Sequence, residues 1–390
     1  MTAGAPDLAA LVEGSAIRRV RMVAWRDLDD AEAGGSELHA DRVASRWAAA
    51  GLDVELRTSM VAGEAREIDR NGYRVVRWGG RYEVFPQVAS EAYRFRAARP
   101  DAVVDIWNGM PFFSPLWFRG PRLALLHHVH GEMWRMALKP LAAALGDAVE
   151  RHVAPLAYRA TPVATLSASS RDEIVDELGL PASHVHVVEP GVDPRFGPGG
   201  RRSAEPLVVA VGRLVPVKRY DVLFRSLAEA RRTVPALRAV VVGEGYERPR
   251  LEAVRRELGA EAWIELPGHL EDRALLALYR SAWLVASSSL REGWGMTLTE
   301  AAACGTPAVA TDIAGHRDAV RHEETGHLVG EAALGGTIAG VLCDDGLRAQ
   351  LGRAARARAR QLSWERTAAM LFSLIDPAHR PSRGAAPGST

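Results

Sequence analysis

The sequence predicts an α/β protein made of two doubly wound parallel-sheet domains. Three observations carry that expectation. The chain has 390 residues, more than a typical single domain holds. Short apolar runs alternate with helical patterns in both halves, as strands joined by crossover helices do. Between the halves lies Glu189-Pro190-Gly191-Val192-Asp193-Pro194-Arg195-Phe196, followed by Gly197-Pro198-Gly199-Gly200-Arg201-Arg202, a linker by its Pro and Gly content.

The elements follow in chain order. Arg19 to Trp25 reads as the first strand. After a glycine turn, Ser36 to Ala50 has apolar or small residues at helical spacing, with Gly51 as a stop. Val54–Arg57, Tyr73–Arg77, Ala102–Trp107, Leu123–His127, Pro162–Ser167 and His184–Val188 read as further strands, with a capped helix from Ser169. Beyond the linker the strands are Leu207–Val211, Ala239–Val242, Trp263–Leu266, Trp283–Ala286 and Pro307–Thr311. Helices are expected from about Tyr220, Glu247, Glu271 and after Gly295, with a long helical region at the end. The expected division is residues 1–196 and 197–370. Residues 377–390, rich in Pro, Gly, Ser and Ala, read as a disordered tail.

Composition narrows the function. Net charge is +1 and the apolar share is 47%. A dedicated nucleic-acid binder shows a strong basic excess, so no nucleic-acid partner is expected. Two cysteines, Cys304 and Cys343, make no disulfide framework and fit a reduced, cytoplasmic compartment. The first residues lack the basic-then-apolar pattern of a signal peptide, and no apolar run is long enough to span a bilayer.

The most informative stretch is Arg291-Glu292-Gly293-Trp294-Gly295-Met296-Thr297-Leu298-Thr299-Glu300-Ala301. An apolar strand, Ala282–Ala286, precedes it, and the run Thr297–Gly305 reads as helix. Strand, glycine turn and helix start offer phosphate both free N–H groups and the positive end of a helix dipole. Glu300, near the first turn, is suited to accept two ribose hydroxyls, as acidic residues do in dinucleotide sites. Read alone, the stretch is also an ordinary crossover with a surface glutamate. Gly212-Arg213-Leu214-Val215-Pro216-Val217-Lys218 sets two cations after another strand, suited to a diphosphate. Lys139 and Lys218 are the only lysines. Alone, this loop is also a solvated basic loop.

Together, the paired glutamates, the following Cys304-Gly305-Thr306-Pro307-Ala308-Val309-Ala310 and the Gly-Arg-(four residues)-Lys loop resemble the donor site of glycosyltransferase family 4. These are retaining sugar-nucleotide transferases of the GT-B fold, and the likeness runs from about Val20 to Val329. It implies two Rossmann-like domains facing an interdomain cleft, the first on the acceptor side, the second binding the donor, and the last helix packing back on the first.

The resemblance assigns the residues as follows. Arg213, Lys218 and the amides of Gly295, Met296, Thr297 and Leu298 would hold the diphosphate of a UDP- or GDP-linked sugar, with Gly293 also in the donor site. Glu300 would hold the ribose, and Glu292 the sugar and its developing charge. Backbone groups of the Pro267-Gly268-His269-Leu270 turn, His269 and Leu270 in particular, would meet the base, and Gly212 and Gly243 would line the site. Gly34-Gly35-Ser36-Glu37 resembles the glycine loop that approaches sugar and acceptor. A histidine at the end of the Leu123 strand would face the sugar; His127 is the first choice and His128 the alternative within His127-His128-Val129-His130. The implied chemistry is a front-face displacement without a metal or other cofactor. A zinc reading of these histidines lacks a ligand set. A metal reading of Asp27 and Asp29 competes with that of a solvated loop.

The acceptor is open among saccharide, lipid-linked and small-molecule hydroxyls. Pro111–Phe118 and Tyr93–Arg99 mix aromatic and basic residues and suit either a peripheral inner-membrane contact or ordinary packing and solvation. A GT-B epimerase or phosphorylase, and a module that binds sugar nucleotide without turning it over, are the other readings.

Overall fold

The computed structural model describes residues 7–94 and 100–379. Part of the Tyr93–Arg99 stretch (95–99) and most of the terminal segment (380–390) lie outside the described residues. The chain divides into two units: one runs to Gly191 and resumes at Trp364, the other is Val192–Ser363.

The first unit holds strands β1 (Arg19–Val23), β2 (Asp53–Thr58), β3 (Glu67–Arg70), β4 (Tyr73–Arg77), β5 (Ala102–Trp107), β6 (Arg122–Leu126), β7 (Val163–Thr165) and β8 (Val185–Val187). They form one sheet in the order β3-β4-β2-β1-β5-β6-β7-β8. Every pairing is parallel except β3 with β4. β5 is buried along its whole length, as a strand covered on both faces must be. Its Asp105 is the polar exception, and the carboxylate accepts the N–H groups of Phe112 and Ser114 at 3.1 Å each. Phe112 and Ser114 are therefore buried, and of Pro111–Phe118 Leu116 stands well exposed. That segment is mainly packing.

The sheet reverses direction at β1, which has β2 on one side and β5 on the other. Ligands of doubly wound sheets lie beyond the strand ends at such a point. Helix Gly35–Ala49 starts there and ends before Gly51, whose φ of 97° turns the chain into β2. Its Trp47 is fully buried and donates from Nε1 to the Ala368 carbonyl at 2.9 Å. That bond joins helix Trp364–Ile375, the last among the described residues, to the first unit's core beside Met22, Val104 and Phe372.

The second unit holds β9 (Leu207–Val211), β10 (Arg238–Val242), β11 (Ile264–Gly268), β12 (Leu284–Ser287), β13 (Ala308–Thr311) and β14 (Gly326–Val329). Their order is β11-β10-β9-β12-β13-β14, all parallel. The direction reverses at β9, between β10 and β12. Helices Tyr220–Thr233 and Leu334–Cys343 bury Leu223, Phe224, Leu227 and Ile338 against this sheet's core.

Candidate functional site

In the second unit the loops after β9 and β12 meet because their strands are neighbours at the reversal. The loop after β9 leaves through Gly212 and ends in a short turn, Pro216–Lys218, with Arg219 left-handed at φ 50°. The β12 loop ties that turn down. Ser288 Oγ donates to the carbonyls of Lys218 and Arg219 at 2.9 and 2.8 Å, and Leu290 N–H donates to Val217 at 2.8 Å. Lys218 Nζ is thereby held against Glu292, with which it forms an ion pair. Ser289 Oγ donates to the same Glu292 oxygen at 2.8 Å. Burial favours the neutral acid at Glu292. Lys218 and His316, with the Lys218 and Ser289 hydrogen bonds, outweigh it and hold the carboxyl at about 2. Glu292 is an anion across the physiological range.

His316 is a residue that sequence reading missed. It is fully buried and sits behind Glu292; its Nδ1 bonds the Thr311 carbonyl at 2.9 Å. The preceding Gly315, at φ 81°, makes this approach possible. A Cβ there would lie 2.5 Å from the Glu292 carbonyl oxygen. The available signal was a Gly-His pair shortly after a strand.

Helix Met296–Ala303 begins at Gly295, whose φ of 108° suits only glycine. Leu298 N–H folds back onto the Gly295 carbonyl at 2.9 Å. Met296 and Thr297 present N–H groups that no backbone carbonyl takes among the described residues. This is the glycine-led helix start expected from the sequence, with a geometry suited to an anion. Glu300 falls in the second turn, not the first. Tyr279 donates from Oη to Glu300 at 3.1 Å. Burial raises the Glu300 carboxyl to about 7, more than the Tyr279 bond and Arg195 lower it. Tyr279 and Arg195 were also missed; they lie 21 and 105 positions from Glu300 in the chain.

Gly243 and the Gly268 turn close the other side of β9. Gly243 N–H donates to Gly268 at 2.9 Å. A Cβ on Gly243 would sit 2.0 Å from the Gly212 carbonyl oxygen. Beyond them His269 is exposed and Leu270 half-buried. Arg213 is half-buried at the start of the Lys218 loop. The structure thus brings Gly212, Arg213, Lys218, Glu292, Gly293, Gly295, Met296, Thr297, Leu298 and Glu300 to adjacent strand ends, with Gly243, His269 and Leu270 one and two strands away.

In the first unit, Gly34 precedes helix Gly35–Ala49, and Glu37 turns back to accept its N–H at 2.8 Å. The other Glu37 oxygen accepts Arg26 Nε at 2.8 Å, with both side chains buried. Burial would raise the Glu37 carboxyl, but Arg26 and the Gly34 and Ser36 bonds bring it below the ordinary value. Glu37 therefore shapes the glycine loop. Ser36 Oγ accepts from Asn108 Nδ2, beyond β5, at 3.3 Å. His127 follows β6 and is buried; its Nε2 meets His39 Nδ1 at 3.0 Å. His128 is half-buried and stacks on His130, centroids 5.1 Å apart.

Asp27 and Asp29 are engaged by arginines. Arg77 grips Asp27 from Nε and Nη2 at 2.7 and 3.1 Å, with both side chains fully enclosed. Arg70 and Arg77 both pair with Asp29. This is an ion-pair cluster where the sequence suggested a solvated loop or a metal pair. Among the described residues no group of three or more His, Cys, Asp or Glu stands arranged to hold a metal ion.

Two doubly wound parallel sheets with glycine loops at their reversal points define the GT-B class of architecture. A sucrose-phosphate synthase from Thermosynechococcus elongatus has this fold, with a TM-score of 0.80, 22% identity, and coverage of 92% of this chain and 98% of that one. Anabaena HepE in complex with UDP-glucose superposes with a TM-score of 0.71 at 18% identity over 90% of this chain and 98% of that one. Residues 33–196 match the model of Glycosyltransferase Family 4, and residues 195–358 that of Glycosyl transferases group 1. A D-inositol 3-phosphate glycosyltransferase of Acidothermus cellulolyticus is 32% identical across 91% of this chain and 88% of its own length. That of Salinispora tropica is 39% identical across 53% of this chain, a match that spans about half (48%) of that relative's length. The chain belongs to glycosyltransferase family 4, group 1.

Proposed function

We propose that the protein transfers a sugar from a UDP- or GDP-linked donor to an acceptor hydroxyl with retention of configuration. The observation that carries this reading is the convergence, at the reversal of the second sheet, of Lys218, Glu292, the free amides of Met296 and Thr297, and Glu300. Arg213, Lys218 and the helix start neutralise the leaving diphosphate, so no metal is called for. Glu300 accepts ribose hydroxyls. Glu292, anionic and anchored by Ser289, stabilises the positive charge that grows at the anomeric carbon. As the bond from that carbon to the phosphate oxygen breaks, the acceptor oxygen bonds on the same face. The acceptor proton passes to the departing phosphate.

The acceptor to test first is a phosphorylated cyclic polyol, the class in the relatives' names. The experiment is a thermal-shift screen of nucleoside diphosphates and sugars, then mass and NMR analysis of products. A new glycoside of retained configuration is expected. An isomerised donor, a sugar phosphate formed from inorganic phosphate, or binding without turnover or hydrolysis would each overturn the reading in favour of epimerase, phosphorylase or binding module.

Work at an inner-membrane surface is part of the same proposal. Leu141, Leu145 and Leu156 are 86%, 65% and 70% exposed on the helical run from Pro140 to Tyr158. Lys139 precedes this run and Arg159 follows it, both exposed. An apolar face with cations at its ends suits an anionic bilayer surface. No helix among the described residues is long and apolar enough to cross a membrane. Co-sedimentation with anionic but not zwitterionic vesicles, lost in Leu141→Asp/Leu145→Asp, is expected. Equal recovery from both, or concealment of this face in a dimer, would refute it.

A further inference from the structure

Behind Glu292 runs a chain of hydrogen bonds in which all but one hydrogen has a single possible direction. His316 is completely buried. Its Nδ1 lies 2.9 Å from the Thr311 carbonyl oxygen and 3.4 Å from Thr311 Oγ1. A carbonyl only accepts. Thr311 Oγ1 gives its one hydrogen to the Ser289 carbonyl at 2.6 Å, so toward His316 it too can only accept. Two acceptors face Nδ1, and Nδ1 therefore carries the proton. A ring protonated at Nε2 instead would set a lone pair against both oxygens. Burial lowers the His316 pKa more than Glu292 and the Thr311 bond raise it, and Lys218 adds to the lowering. The ring is neutral, and its Nε2 is a lone pair with Ser287 Oγ at 3.4 Å.

The chain ends on the carboxylate. Ser289, pinned at its carbonyl by Thr311, donates from Oγ to Glu292 Oε1 at 2.8 Å. Lys218 bonds the same oxygen. The Ser287 hydrogen has the one choice, between His316 Nε2 and Ser289 Oγ at 3.3 Å. Either choice leaves Ser289 donating to Glu292.

We propose that His316, as its Nδ1–H tautomer, is a positioning residue for Glu292: it holds Thr311, Thr311 holds Ser289, and Ser289 aims the carboxylate. That Glu292 faces the transferred sugar rests on the transferase reading above; the tautomer and the chain of bonds do not.

Histidine-selective 15N NMR of the full chain tests the tautomer without a ligand. His316 should show a protonated Nδ1 and an unprotonated Nε2. The carboxylate is read through its partner: Lys139 and Lys218 are the only lysines, so Lys218 gives one of two signals in a lysine-selective 15N spectrum. His316→Leu removes the donor to Thr311. The Lys218 signal should then move, and kcat should fall about tenfold with a smaller change in donor KM. His316→Asn puts an amide N–H near the place of Nδ1 and should restore the Lys218 signal and most of kcat. Thr311→Val keeps the carbonyl but removes the hydrogen given to Ser289, so the His316 tautomer should stay while kcat falls as in the Leu variant. A wild-type His316 protonated at Nε2, or an unchanged Lys218 signal and kcat in folded His316→Leu, overturns the proposal. If the Leu variant does not fold, the wild-type, Asn and Val measurements still decide. A protein that transfers no sugar but shows the Nδ1–H form and the moved Lys218 signal sinks the function and leaves the His316 assignment standing.

Discussion

Replacing Glu300 by Gln should make the protein more stable and a poorer binder, and both effects should depend on pH. Its carboxyl titrates at about 7 in the fold because burial penalises the anion more than Tyr279 and Arg195 favour it. The ordinary value is 4.5. Between these values the folded chain holds a proton that the unfolded chain has released. Stability therefore falls as pH rises from about 4.5 through about 7, and the loss is complete above it. The difference corresponds to at most about 3 kcal/mol, reduced because solvent reaches part of the half-buried side chain. Gln has no anion to bury. Glu300→Gln should raise Tm at pH 8 by several degrees, at roughly 2–4 °C per kcal/mol for a unit of this size. At pH 5 about a quarter of the gain should remain, and by pH 4 almost none.

Binding should change in the opposite direction. Losing a charged acceptor for ribose hydroxyls costs about 1.5–3 kcal/mol, or roughly 10- to 150-fold in Kd at pH 8. At pH 6 the wild-type carboxyl is itself mostly protonated, so the gap between the proteins should shrink by about tenfold. Titration calorimetry with UDP and GDP on both proteins measures the ratio, in which the ligand's own ionisation cancels. A ratio that is flat from pH 6 to pH 8, or a Gln variant no more stable at pH 8, would refute the reasoning.

Four further outcomes are expected. Lys218→Ala should weaken nucleoside diphosphate binding by about 1.5–3 kcal/mol with the fold intact; unchanged affinity by calorimetry would remove Lys218 from the diphosphate site. Glu292→Gln should lower kcat by about 2–4 kcal/mol of barrier and raise KM little, whereas activity should survive exhaustive chelation; loss with EDTA restored by manganese would revive the Asp27/Asp29 metal reading. Gly243→Ala should destabilise the second unit by about 1–3 kcal/mol, because a Cβ 2.0 Å from the Gly212 carbonyl forces neighbouring backbone apart; an unchanged melting curve would contradict that packing.

The local pattern of this sequence determined a great deal. Strands Tyr73–Arg77, Ala102–Trp107 and Leu207–Val211 and the helix start at Tyr220 stand where apolar runs and helical spacing put them. Strand Glu67–Arg70 did not show, since its alternation is charged and half-exposed at a sheet edge. Gly326–Val329 did not either, being short and only partly buried. The Gly-Arg-(four residues)-Lys and Glu-(seven residues)-Glu spacings were legible because each lies on a single loop or loop–helix turn. What those groups do to one another was not. Lys218 reaches Glu292 only because β9 pairs with β12 and Ser288 ties the two loops together. Asp27 looked like a solvated acid until β4 brought Arg77 to it, and His39 meets His127 across 88 positions. Secondary structure follows periods of two to four residues, which a sequence displays directly. Charge state and tautomer follow from burial and from partners, and the order of strands in the sheet, a long-range packing decision, alone assigns those.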